Sequence, residues 1–243
     1  MARDLGDVLH LFAPELAGAE ASVPPIVGVP LARPEPTAVA LLRNLAVETA
    51  RQGARVSLLA PRSLAGEANA DLVGVARPPI DEEDPAAVAH AAERALRATP
   101  RFERGFVFAA FPSGWLAKAS EVNTLLRWTL VFVRPDEASL TDAAWTLEAI
   151  AAHAPRARIG VTVHGVRTVH EARDCFEHLA LRIERRLGCA LTSYGLLVDD
   201  VRLSRSIVTG RPIALTSPQS AAARALADVA SLLLTDAGAD RDG

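Results

Sequence analysis

Cysteine is nearly missing from this chain. Two residues of 243, Cys175 and Cys189, carry thiols, and they lack CxxC spacing. That excludes a disulfide scaffold and reads as reduced thiols in a cytosolic protein. No window approaches an uncharged apolar run of about 18 residues, so no stretch reads as a membrane span. The opening MARDLGDVLHLFAPELAG carries acids early and has no long apolar centre, unlike a signal peptide. The closing TDAGADRDG is neither basic nor amphipathic, and reads as a polar tail without membrane affinity. Nor is there an excess of one charge: 26 Lys and Arg stand against 29 Asp and Glu. A net charge of −3 gives no whole-molecule attraction to nucleic acid or anionic lipid. Aromatics make up 5% and do not interleave with a basic patch, so nucleic-acid readout has no support. Ser113 lies in PSGW, not GxSxG, so no nucleophile motif appears. No repeat of 20–50 residues is visible.

What is present is an alternation. Apolar, β-branched runs predict strands at 25–29, 55–60, 71–76, 105–111, 129–134, 158–165 and 191–198, with a short one at 212–215. Amphipathic stretches predict helices at 37–52, 85–98, 115–127, 139–153, 168–187, 201–209 and 218–234. Strands apolar on both faces, each followed by a helix, imply α/β architecture: one doubly wound, mostly parallel sheet of seven or eight strands. The length suits one large domain, 23–235, with an N-terminal segment 1–22 and a polar tail 236–243. Thr37, Asp84-Pro85, Ser139 or Thr141, and Thr168 with Glu171 three residues on are the expected helix starts.

Residues 30–46, PLARPEPTAVALLRNLA, join the first strand to the first helix. Many α/β proteins place a glycine-rich phosphate loop at that junction. Here it has three prolines, no glycine and no lysine. Pro34 and Pro36 have no backbone N–H to offer a phosphate, although the helix N-terminus at Thr37 retains a weak attraction for anions.

The second half carries motifs in a recognisable order. TLVFVRPDEASLTDAAWTLEAI, RIGVTVHGVRTVHEARDCFEHLALRIERRLG, YGLLVDDVRLSRSIVTGRPI and SPQSAAARALADVASLL follow one another. Together they resemble the MinD/ParA family of deviant Walker ATPases, with the flagellar-number regulator branch (FlhG, also called FleN) the most similar. The resemblance covers roughly 23–235 and implies a P-loop NTPase fold of the SIMIBI class, ATP and Mg²⁺ in the family, and homodimers. Alignment from NLA (44–46) puts the family's GKGGVGKTT loop on 32–40 without a gap. The phosphate-binding lysine then falls on Ala38 and the Mg²⁺-binding hydroxyl on Val39, while Arg33 keeps the charge of the signature lysine. The water-orienting aspartate falls on Ala60, with Arg62 at the neighbouring acid. The aspartate ending the Walker B strand falls on Ala110, followed by Phe111, Pro112 and Gly114. Loss of lysine, hydroxyl and both carboxylates leaves no metal ligand and no group to orient water. The expectation is therefore a pseudo-ATPase without bound cofactor or metal, working through protein partners.

Other positions admit two readings. Arg33 either meets an anion or partner carboxylate, or is a solvated arginine. His164 falls where the family has an asparagine near adenine, or is a hydrogen-bonded structural residue. Asp200 matches the acid of the family's P-x-D turn, or caps helix 201–209. Phe111, Trp115 and Trp128 either fill the vacated nucleotide pocket or are ordinary core. His170, Asp174 and His178 share a helical face, either as zinc ligands or as a solvated surface. The N-terminal segment has an apolar stripe at 5, 8, 9, 12 and 16. It either packs on the protein's own body or, as in the flagellar branch, acts on a signal-recognition-type GTPase, although the DQA-type motif of that branch is not visible. The alternatives to a stand-alone regulator are a nucleotide binder using non-standard contacts and an inactive subunit paired with an active MinD/ParA paralogue.

Overall fold

The structure, a computed structural model, describes residues 25–32, 36–65, 72–78, 80, 83–100 and 103–239. The N-terminal segment 1–22 and Arg33 lie outside the described residues.

The strands are β1 (Ile26–Leu31), β2 (Ala54–Leu59), β3 (Val75–Ala76), β4 (Arg104–Pro112), β5 (Trp128–Val133), β6 (Arg158–Val166) and β7 (Leu191–Val198). The helices are α1 (Pro36–Arg51), α2 (Arg62–Ala65), α3 (Pro85–Arg97), α4 (Ala119–Leu126), α5 (Glu137–His153), α6 (Val169–Leu187), α7 (Val201–Thr209), α8 (Ile213–Thr216) and α9 (Ala221–Ala239). The seven strands pair in parallel in the order β3-β2-β4-β1-β5-β6-β7. All six residues of β1 are buried, as a central strand covered on both faces requires. Two apolar layers flank the sheet. One joins it to α1, α7, α8 and α9, and the other to α3, α4, α5 and α6.

Several helix starts match the sequence. Asp84 caps α3 with Pro85 in first place, and the Thr168 hydroxyl accepts from Glu171 N at 3.1 Å to open α6. Other expectations need correction. α1 opens at Pro36, whose fixed φ suits the first helical position, so Thr37 is a first-turn residue and not the cap. Asp136 caps α5 through Ser139 N, ahead of the expected Ser139 or Thr141. The run PIAL is the short helix α8 and not a strand, which fixes the count at seven. DLVGVA shrinks to the two residues of β3, because Gly74 at φ +78° turns the chain just before it. The stretch 115–127 divides into a 3₁₀ turn, Ser113–Lys118, and α4. The tail boundary also moves: α9 runs to Ala239, past the expected start at 236.

The NLA motif proves to be a packing device. Leu45 and Ala46 are fully buried, and Asn44 is a buried polar residue on the same helix. Its Nδ2 donates to Ala40 O at 2.7 Å, and its Oδ1 accepts from Ile213 N at 2.6 Å. One carboxamide thus ties α1 to the start of α8. Two turns on, Arg51 bonds Glu48 at 2.9 Å and reaches Ala214 O at 3.4 Å. Asn44→Ala leaves the buried Ile213 N–H without an acceptor. It is expected to cost about 1–3 kcal/mol, read as a lower urea midpoint at unchanged slope; a loss below about 0.5 kcal/mol would refute the tether.

A second anchor sits where the strands of the sheet begin. Tyr194, the only tyrosine, is buried on β7 with its ring against Gly160. Its hydroxyl donates to Asp236 on α9. Arg158 stacks over Trp128 at 5.3 Å from the ring centroid and lies 3.9 Å from the Asp236 carboxylate. Burial, reinforced by Asp236, holds the Tyr194 phenol well above its ordinary pKa.

Candidate functional site

In open α/β sheets, ligands bind beyond the carboxyl ends of strands where neighbouring connections leave in opposite directions. That place here is the end of β1 and β5, because α1 lies on one face of the sheet and α5 on the other. A cleft of about 410 Å³ opens there. Pro30, Leu31, Ala32 and Ala38 form one wall, and Val131, Phe132, Arg134, Asp136, Ser139, Asp142 and Thr146 form most of the other.

The first wall is apolar. Ala38 is buried, and it shares one hydrophobic cluster with Ala110, with Val39 and Ala60 packed against that cluster. The four positions aligned with lysine, hydroxyl and two aspartates therefore serve the core together. None offers a donor, an acceptor or a charge on its side chain.

The second wall is polar but engaged with itself. Arg134 Nε lies 3.3 Å from Asp136 Oδ2, while Asp136 Oδ1 accepts from Ser139 N at 2.9 Å. Ser139 Oγ accepts from Arg134 N at 2.9 Å, and Thr146 Oγ1 donates to Asp142 O at 2.8 Å. The wall thus sets two carboxylates, Asp136 and Asp142, beside one guanidinium. These residues were within the quoted motif after the fifth strand, yet no spacing rule singles them out. The signal that finds them is topological: β5 is the neighbour of β1.

His164 stands next to this wall on β6. It is 3% exposed, its ring meets Phe132 edge to face at 6.3 Å, and the adjoining Gly165 approaches Arg134. Burial, with help from the Arg134 charge and against Asp136, lowers its pKa from 6.5 to about 4. His164 is thus a neutral imidazole at neutral pH. Asp200 is the cap of α7: Oδ1 accepts from Arg202 N at 2.8 Å, and Oδ2 lies 3.5 Å from Ala222 N. Both its oxygens serve the local backbone. Thr37 is partly exposed in the first turn of α1. Thr37, His164 and Asp200 are not among the cleft-lining residues, and Arg33 lies outside the described residues.

The aromatic trio divides. Phe111 and Trp115 stack at 6.5 Å, on the face of α3–α6. Trp128 belongs to the other layer, at the strand starts, beside Phe106 and beneath Arg158. It is core and does not fill the cleft. Trp145 is exposed on α5. His170 Nε2 approaches Asp174 Oδ2 at 3.5 Å, but His178 Nδ1 faces the Asp174 carbonyl at 2.9 Å. No group of three metal-ligating side chains occurs among the described residues. Burial pushes both cysteine thiols up in pKa, which suppresses thiolate chemistry.

No family model and no curated protein matches the sequence. Solved structures do match in shape. A chain of the MinC:MinD cell division protein complex of Aquifex aeolicus superposes with a TM-score of 0.64 at 15% identity, over 86% of this chain and 95% of that one. A ParA family ATPase from Chlorobium tepidum gives 0.62 at 14% identity, over 87% and 99%. The Cyanothece McdA(D38A)–ATP complex gives 0.54 at 8% identity, over 90% and 98%. With its seven parallel strands covered on both faces, this chain has the fold of the MinD and ParA ATPases.

Proposed function

We propose that the chain is a MinD/ParA-family regulator that has given up ATP hydrolysis and works by binding other proteins. The observation that supports this most strongly is the joint packing of Ala38, Val39, Ala60 and Ala110 in one apolar cluster. A triphosphate needs inward N–H groups, a cation and a metal ligand at these points, and the cleft offers Ala32 and Ala38 against a wall with two carboxylates. The sequence motifs resemble the flagellar-number branch, FlhG, so control of flagellar number or placement from the cytoplasm is the proposed process. Among the described residues no helix is long and apolar enough to cross a membrane. The MinC:MinD complex supports the protein-partner side of the proposal, because there a chain of this fold engages a second protein.

Titration calorimetry with ATP and Mg²⁺ is the test. No binding heat is expected up to millimolar nucleotide, and no nucleotide-dependent change in mass by light scattering. Micromolar, Mg²⁺-dependent ATP binding would overturn the proposal. Co-purification with a MinD/ParA ATPase of the same genome would identify the partner as a paralogue.

A further inference from the structure

Helix α7 shows solvent an unusual face. Val201 and Val208, two turns apart, are 77% and 86% exposed. Seven residues of separation put both on one side of the helix, with Arg205 between them and Arg202 at the margin. Arg211 and the exposed Leu215 continue the surface beyond the helix. Arg202, Arg205 and Arg211 have no carboxylate partner among the described residues. The nearest acid in sequence, Asp200, spends its oxygens on the backbone of α7 and α9. The patch therefore joins bare apolar area to uncompensated positive charge, and a complementary ligand is an apolar stripe edged with acids.

The chain itself contains such a stripe. In the first 22 residues Asp4, Asp7, Glu15 and Glu20 face a single base, Arg3. Read with helical spacing, Leu5, Val8, Leu9 and Phe12 share one side, Asp4 borders it, and Asp7 falls on the far side. Reach is sufficient. Residues 17–24, extended, span about 27 Å. The six residues of β1 cover about 20 Å, three strand spacings from β1 to β7 about 14 Å and the step to the helix layer about 10 Å, a diagonal of about 26 Å.

We infer that the N-terminal segment, residues 4–16, docks on the α7 face of its own chain, apolar stripe on Val201 and Val208 and Asp4 toward the arginines. A second copy, a foreign partner and a lipid surface are the competing occupants.

Disulfide trapping in the full chain tests this. Val8→Cys and Val208→Cys are combined with Cys189→Ser; Cys175 is buried and left in place. At low protein concentration the intrachain disulfide is expected to form at least tenfold faster than in a control pairing Val8→Cys with Leu181→Cys on α6. Adding Arg202→Glu and Arg205→Glu should slow it at least fivefold. Independently, Asp4→Lys should speed amide exchange in α7 severalfold. Equal rates for the two cysteine pairs, disulfides only between chains, or α7 exchange indifferent to Asp4→Lys would each overturn the inference.

Discussion

At pH 4.5 the protein is expected to be about 2.5 kcal/mol less stable than at pH 7 on account of one side chain, His164. The imidazole is buried between Phe132 and the Arg134 wall, and its pKa falls from 6.5 to about 4. Above pH 6.5 it is neutral folded or unfolded and contributes no pH dependence. Between 6.5 and 4 the unfolded chain takes up a proton that the folded chain refuses, so stability drops as pH falls. Below 4 both states are protonated and the loss levels off near 3 kcal/mol. Carboxylates titrate in the same range, so a difference isolates the histidine. Urea unfolding of the wild type and His164→Asn at pH 7, 5.5 and 4.5 should show the wild type losing about 1.4 and then about 2.5 kcal/mol relative to the variant. A difference independent of pH would show that His164 is freely protonated in the fold.

Gly28→Ala is expected to be at least as damaging, at about 3 kcal/mol or more. Gly28 lies in the middle of β1, paired with Ala109 of β4 and Thr129 of β5. A Cβ there would overlap the carbonyl oxygen of Leu125 at the end of α4. The obstacle is backbone, so no rotamer change relieves it, and either α4 or the central strand must move. Gly114→Ala is the matched control: a Cβ at that position meets no atom within 4 Å, and its expected effect is within about 0.5 kcal/mol. Thermal or urea unfolding of the two variants separates them; a Gly28→Ala protein as stable as Gly114→Ala would contradict the close approach of α4 to β1. Gly114 holds the glycine of the D-T-P-x-G pattern, yet the space beside it is open in this chain.

Much of this architecture is legible in the residues. Runs such as IVGV and FVFAAF are apolar on both faces and rich in β-branched or aromatic residues, which suits a covered parallel strand, and the caps at Asp84 and Thr168 follow from local chemistry. The errors have local causes too. A short apolar run such as PIAL reads equally as strand or buried helix, and the choice is made by the Asn44 carboxamide, which lies far away in sequence. In DLVGVA the pattern holds, but Gly74 adopts a left-handed turn that shortens the strand. Of the cleft, the α1 wall was legible because alignment through NLA places Ala32 and Ala38. The α5 wall was not, because strand order is a tertiary fact: no spacing in the chain announces that Arg134 and Asp136 face Ala38. His164 was visible as a residue of interest, but its burial depends on where β6 lies in the sheet; for Asp200 the cap was one of two readings, and the bonds from Arg202 N and Ala222 N select it.

The three tryptophans occupy three different surroundings, and this gives the molecule its own set of optical probes. Trp128, sealed among Phe106 and Arg158 and next in the same layer to the sole tyrosine, shifts its emission only when the whole sheet comes apart. Trp115, stacked on Phe111 after the Walker B-like strand, reports on the rim that carries the cleft. Trp145, in water on α5, responds to whatever covers that helix. Single-tryptophan variants can therefore follow unfolding, rim rearrangement and partner contact separately, without an attached label.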